Sequence, residues 1–260
     1  MNKKIIFFDV DGTLFDNDHL EIPKSAIAAI KELSKNEDYI LALATGRTYK
    51  TINVIDEIKD LFRLKILING QVIMYDEKII YKNPMNVNNL EELKTYLLEK
   101  NIPQGFVGFE NEAVTLINDY VQECFDRYCI TLGDPDLDFI YKEDVYQSWV
   151  FGSNEEIDEM IEKFPCFAFF KWGEAGADII CQNQSKKTGI IKALEILDCK
   201  WENTIAIGDG NNDYEMLKYV NLSIAMGNAS PLAKSVSSFI TDDIKNDGIA
   251  KAIDYLLNKN

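Results

Sequence analysis

Four unbroken apolar runs constrain what this chain can fold into: "KIIFFDV" at the start, "YILALAT" and "LKILING" further on, and "NTIAIGD" late in the chain. None alternates polar with apolar, so each reads as a strand buried on both faces, as in a parallel sheet. The stretches "IPKSAIAAIKELSK" and "YKTINVIDEIKDLF" separate the first three and read as helices. The former has Pro23 near its start and Ile27, Ile30 and Leu33 on one face. "VIMYDEKIIYK" predicts a hairpin around Asp76, Glu77 and Lys78. The class is therefore α/β, a doubly wound, Rossmann-like parallel sheet covered on both sides.

Between residues 83 and 182 the pattern changes. Helices "NLEELKTYLLEK", "DYVQECFDRYC" and "NEEIDEMIEKF" mix with strands "VYQSWVF", "CFAFFKW" and "ADIIC", an α+β insert. Trp149, Phe169, Phe170 and Trp172 read as its core or as a pocket lining. After Ser185 the βα alternation resumes to the end. The expected organisation is a core of 1–82 with 183–260, interrupted by a second domain over 83–182. With 47% hydrophobic residues the chain can fill both cores.

A net charge of -16 argues against a nucleic-acid partner or an anionic membrane surface. No segment is long and apolar enough to span a bilayer, and Asp9 cuts the first apolar run short of a signal peptide. Cysteines 124, 129, 166, 181 and 199 form no CxxC pair and are odd in number, which predicts core thiols in a reducing, cytoplasmic setting. The single histidine, His19, excludes mechanisms that need two.

Each polar cluster follows directly on an apolar strand. Asp9 and Asp11 end the first, Thr45-Gly46-Arg47 the second, Asn69-Gly70 the third, and "GDGNND" (208–213) ends "TIAI". Ligands bind outside the carboxyl ends of strands in open parallel sheets, so clusters remote in sequence converge on one edge. Taken singly, Asp9–Gly12 is an Asx-turn sequence and Asp209 and Asp213 are potential helix caps. An EF-hand fails for want of glycine and glutamate at the required loop positions, and no Walker A pattern is present.

Taken together and in order, "DVDGT", "TGR", "SKKTG" and "GDGNND" resemble the four motifs of the haloacid dehalogenase superfamily of phosphohydrolases. The "NG" after the third strand and "AMGNA" (225–229) are similar to its Cof-type branch. The resemblance implies that Asp9 is a nucleophile forming an aspartyl-phosphate, and that Asp11 protonates the leaving group and then activates water. It implies Mg²⁺ held by Asp9 and Asp209 directly, by the Asp11 backbone carbonyl, and by Asp213 through a water. Thr45 and Asn212 would donate hydrogen bonds to phosphoryl oxygens, and Gly46 would keep the strand end uncrowded. Lys186 would neutralise phosphoryl charge. It competes with Lys187 but stands three residues before Gly189, the branch's K-x-x-G spacing. Arg47 and Asn69 are placed to touch substrate or cap, with a structural role as the alternative. The insert's position between Thr45 and Lys186 resembles a C2-type cap, which implies small phosphorylated metabolites, sugar phosphates first. The expectation is a Mg²⁺-dependent phosphoric monoester hydrolase, monomeric or a small homo-oligomer. A phosphomutase and a non-catalytic sugar-phosphate sensor are the alternatives.

Overall fold

The computed structural model describes residues 3–127, 133–172 and 175–258, and the chain divides into two units, 1–82 with 185–260 and 83–184. Strands β1 (Lys4–Phe8), β2 (Tyr39–Ala44), β3 (Leu64–Leu67), β4 (Val72–Tyr75) and β5 (Lys78–Lys82) belong to the first unit. Strands β6 (Gln104–Val107), β7 (Glu112–Val114), β8 (Gln147–Val150), β9 (Phe167–Lys171) and β10 (Ala177–Cys181) form the second. The chain then returns to the first with β11 (Thr204–Gly208), β12 (Leu222–Ala225) and β13 (Phe239–Ile240).

In the first unit the strands form one sheet, ordered β13-β12-β11-β1-β2-β3-β4-β5. From β13 to β3 every neighbour is parallel; β4 and β5 turn back antiparallel. Ile5, Ile6, Phe7 and Phe8 are essentially inaccessible, as double-sided burial of an unbroken apolar run requires. From β1 the chain winds outward to β2 and β3, then resumes on the other side with β11. The junction of β1 and β11 is therefore the topological switch point, where the strand ends leave a crevice for a ligand. Helix α1 (Lys24–Leu33) buries Ala26, Ile30 and Leu33. Ile27 of the expected apolar face is half-buried.

The stretch expected to form a second helix instead makes two 3₁₀ turns, Thr51–Ile55 and Lys59–Leu61. Ile52, Ile55 and Ile58 are buried at a spacing of three, which suits a 3₁₀ turn. The β-branched run Thr51, Ile52, Val54, Ile55 disfavours the α-helix, and Thr48 and Thr51 close the entry by reciprocal backbone-to-hydroxyl bonds of 2.9 and 3.1 Å. The β4–β5 hairpin forms where expected, with positive φ at both Asp76 and Glu77, the geometry of a type I′ turn.

The second unit is an antiparallel sheet, ordered β7-β6-β8-β10-β9. It starts at Asn83 and ends at Gln184 rather than at 182. Helix α2 (Val87–Glu99) contributes Leu90, Leu93 and Leu97 to a core shared with Ile157 and Met160 of α5 (Asn154–Lys163), and with Phe106 and Ile179 of the sheet. Short α4 (Phe139–Lys142) adds Phe139, stacked on Phe106. Ser153 and Glu156 form a capping box at the start of α5. A smaller cluster joins Val121 and Phe125 of α3 (Asp119–Arg127) to Val114 and Phe151, with Trp149 and Trp172 packed against it. The two tryptophans and Phe169 are thus core residues, whereas Phe170 is exposed.

Helices α6 (Lys186–Leu197), α7 (Tyr214–Tyr219), α8 (Pro231–Val236) and α9 (Gly248–Asn258) complete the first unit. No helix among the described residues is long and apolar enough to cross a membrane. The expectation of core thiols holds in part: Cys124 and Cys181 are half-buried against the two cores of the second unit, Cys199 is half-buried and Cys166 is exposed, all as free thiols. Cys166 and Cys199 lie in the connections beside β9 and α6, where the side-chain volume need not be enclosed. Cys129 lies outside the described residues.

Candidate active site

The crevice between β1 and β11 is lined by carboxylates. Asp9 extends β1, its N–H donating to the Ile207 carbonyl at 3.0 Å, which fixes its side chain at the sheet edge. The loop after β11 supplies Asp209 and Asp213. One oxygen of each of Asp9, Asp209 and Asp213 lies within 4.8 Å of the others.

Lys186, the first residue of α6, is the counter-charge. Its ammonium donates to Asp9 Oδ1 and Asp213 Oδ1, both at 2.6 Å, with all three side chains buried. What puts α6 close enough is a glycine contact. A Cβ on Gly189 would come within 2.7 Å of the Gly70 Cα, and Gly70 itself has φ +95°. The K-x-x-G spacing and the "NG" after β3 are therefore two sides of one helix-to-loop approach. Lys187 is half-buried and makes no contact with the acids. The geometry selects Lys186 as the lysine of this cluster.

Asp213 also organises its own loop, with Oδ2 accepting from the N–H groups of Asp209 and Gly210 at 2.9 and 2.8 Å. Both its oxygens are committed. Asp9 differs, since Oδ2 carries no hydrogen bond from the described residues. Asp209 Oδ1 accepts from the Thr13 hydroxyl at 2.6 Å, and its other oxygen lies against Gly12. Gly12 has φ +74° and no room for a Cβ beside Asp209, so glycine is required there.

Burial pushes the Asp9 carboxyl well above the usual range, and Asp213 reinforces it while Lys186 opposes. Burial likewise raises Asp209 to about 6 against the Thr13 hydrogen bond, with Asp213 adding to the rise. Lys186 keeps its proton firmly: burial works against the charge, but Asp213 and Asp9 outweigh it. One ammonium faces three carboxylates, so the cluster holds surplus negative charge. Hard oxygen donors converging with too little positive charge fit a small divalent cation. The residues that would hold it are Asp9 and Asp209, with Asp213 behind them.

Asp11 is not part of this triangle. Its carboxylate takes a two-pronged bond from Arg47, Nε to Oδ2 at 2.8 Å and Nη2 to Oδ1 at 2.6 Å. Arg47, expected among the phosphate- or substrate-binding residues with a structural role as the alternative, binds Asp11 in this structure. Thr45 is fully buried and its Oγ1 accepts from the Arg47 N–H at 3.1 Å, leaving the hydroxyl proton for another acceptor. Gly46 faces Asn69, whose N–H donates to the Thr45 carbonyl at 3.0 Å, so Asn69 shapes the loop. Asn212 is exposed on the Asp209–Asp213 loop.

Two residues without an expected role belong to the site. Thr13 anchors Asp209, and Asn228 donates to the Gly12 carbonyl at 2.8 Å while accepting from the Ile244 N–H at 3.0 Å. Both lie in quoted motifs, "DVDGT" and "AMGNA", and that placement was the available signal.

Comparison with known proteins agrees with this geometry. A family model described as haloacid dehalogenase-like hydrolase matches residues 6–253. "Putative phosphatase YkrA" of Bacillus subtilis (strain 168) is 32% identical over 257 residues, covering 98% of both chains. Among solved structures, a hypothetical protein from Geobacillus kaustophilus HTA426 matches with TM-score 0.91 and 28% identity, over 98% of this chain and 99% of that one. The HAD subclass IIB sugar phosphatase BT4131 matches with TM-score 0.85 and 30% identity, over 98% and 99%.

Proposed function

Since this chain belongs to the haloacid dehalogenase-like hydrolase family, we propose that it is a Mg²⁺-dependent phosphatase of small phosphorylated metabolites, sugar phosphates foremost, working through an aspartyl-phosphate on Asp9. One observation carries the reading. At the switch point of the sheet, Asp9 has one oxygen held by buried Lys186 and the other open, with a second carboxylate, Asp11, two residues on.

In this reading Asp9 Oδ2 attacks phosphorus and the bond to the leaving oxygen breaks. Asp11 gives that oxygen its proton, then takes one from the water that cleaves the acyl phosphate. The Thr45 hydroxyl donates to a phosphoryl oxygen, Lys186 holds positive charge beside the nucleophile, and Asn212 offers a further donor. Mg²⁺, when bound among Asp9 and Asp209, offsets the repulsion between a carboxylate nucleophile and a phosphoryl dianion. The second unit serves as the C2-type cap that selects substrate. Sugar phosphates are favoured because BT4131, a similar structure, is named a sugar phosphatase. A net charge of -16 disfavours polyanionic partners, and free cysteines suit a cytoplasmic setting.

The test is phosphate release from sugar phosphates, nucleotides, flavin mononucleotide and an aryl phosphate, with Mg²⁺ and with chelator. Release should depend on the metal and fall by at least about 10⁴-fold in Asp9→Asn. Absence of release from every compound by the folded, Mg²⁺-supplied wild type would overturn the reading.

A further inference from the structure

We propose that Arg47 is a positioning residue for Asp11, holding its carboxyl group in a single orientation for proton exchange with the leaving group, and not a ligand of the phosphoryl group. The inference rests on the phosphatase reading and deepens it.

Three of the five N–H groups of the Arg47 guanidinium are bonded, one on each nitrogen. Nε and Nη2 hold the two Asp11 oxygens, Nη1 donates to the Thr51 carbonyl at 2.9 Å, and its face lies 5.7 Å from the Phe15 ring centroid. Its backbone is tied as well, with N–H to Thr45 Oγ1 and the carbonyl accepting from the Ile68 N–H at 3.1 Å. The Thr51 carbonyl is fixed in turn by the reciprocal bonds of Thr48 and Thr51. Turning the guanidinium toward a phosphoryl group would break two bonds to the Asp11 carboxylate and one to the Thr51 carbonyl, whereas Lys186 already stands beside Asp9.

Asp11 shows the complementary need. Its side chain is 39% exposed and its carboxylate has no other hydrogen-bond donor among the described residues. Without the fork it would rotate freely. A planar guanidinium fixes both oxygens at once, which an ammonium on a flexible stem does not. Proton transfer needs the acid within hydrogen-bond reach of the leaving oxygen, and small misplacements cost about 10²-fold. As Asp9 forms its bond to phosphorus and the bond to the leaving oxygen breaks, the Asp11 proton passes to that oxygen. Asp11 becomes the carboxylate whose two oxygens both accept from the fork.

Leaving-group dependence tests this. 4-Nitrophenolate departs without a proton, whereas a sugar alkoxide needs one. In Arg47→Gln, kcat/KM for the best sugar phosphate should fall about 10²-fold. For 4-nitrophenyl phosphate kcat/KM should fall less than about 3-fold, while kcat and KM fall together because water activation by Asp11 slows. Inhibition by inorganic phosphate should be unchanged. In an Asp11→Asn background Arg47→Gln should add less than about 3-fold, because residues acting as a unit are not additive. Arg47→Lys keeps the charge but lacks the fork, and should show the same leaving-group bias even if Arg47→Gln fails to fold.

Equal losses of kcat/KM for both substrates with weakened phosphate inhibition would overturn the inference and make Arg47 a phosphoryl ligand. Full additivity with Asp11→Asn, or wild-type behaviour of Arg47→Lys, would overturn it too. Failure of wild type to hydrolyse either substrate would instead bring down the phosphatase reading, and the inference with it.

Discussion

Asp9 in the first unit and Asp178 in the second are both carboxylates drawn out of water, and they are answered by different chemistry. Asp9 shares a buried ammonium with Asp213, and Asp209 stands alongside. Asp178, on β10, accepts from Gln147 Nε2 at 2.9 Å and from the indoles of Trp149 and Trp172, all neutral donors. Burial raises Asp178 to about 7 against those bonds. A single acid among neutral donors can relieve its burial by taking up a proton. Three acids around one lysine keep excess negative charge, which suits the reception of a cation. The first arrangement suits a reaction site and the second a structural one.

The largest way to disturb that contrast is Lys186→Met. It leaves Asp9 and Asp213 facing each other without a counter-charge, and should cost about 3–5 kcal/mol of stability, read as a lower urea midpoint at pH 7.5. Added Mg²⁺ should recover part of the loss. An unchanged midpoint would mean that the ammonium does not carry the cluster.

Metal binding comes next in size. Mg²⁺ at a hundredfold excess over its Kd should raise the wild-type Tm by about 5–10 °C at pH 7.5. The rise should shrink at pH 5. The Asp209 carboxyl lies at about 6 in the folded protein, above its unfolded value, so its stabilising contribution is present at low pH and lost as pH rises through 6. Above that point the ionised cluster accepts a cation in place of the proton. An equal or larger rise at pH 5 would contradict this.

The smallest effect belongs to the second unit. Asp178 also sits above its unfolded value, so its contribution fades as pH rises through about 7. Asp178→Asn should therefore gain on wild type by about 1 kcal/mol between pH 5 and 8, a figure reduced for its partial exposure. The gain should be indifferent to Mg²⁺. A Mg²⁺-dependent gain would erase the distinction between the two acids.

How much of this was legible in the sequence depends on what each residue needed. An unbroken run such as "IIFF" has one way to be buried, so the parallel sheet could be read from it. The acids that follow such runs could be read as converging, because parallel strands bring their carboxyl ends to one edge. The segment 51–61 misled, since its apolar spacing fits a helix while Thr48 and Thr51 offered the backbone a tighter alternative. The partners of Arg47 were not legible, because a long side chain at a strand end reaches several acceptors and only loop geometry selects Asp11. Thr13 and Asn228 stood in quoted motifs, but their partners were hidden for the same reason: the bonds depend on the positive φ of Gly12 and on a return of the chain 216 residues later.

The central claim is that the open oxygen of Asp9 takes the phosphoryl group. The most direct measurement is to mix the enzyme with a sugar phosphate that it hydrolyses, quench in acid within the first turnover, and locate the phosphoryl group by peptide mass spectrometry. The account predicts a phosphoryl group on Asp9 and on no other residue, absent from Asp9→Asn. Hydrolysis that proceeds with Asp9 unmodified, or with the phosphoryl group on another side chain, would contradict it.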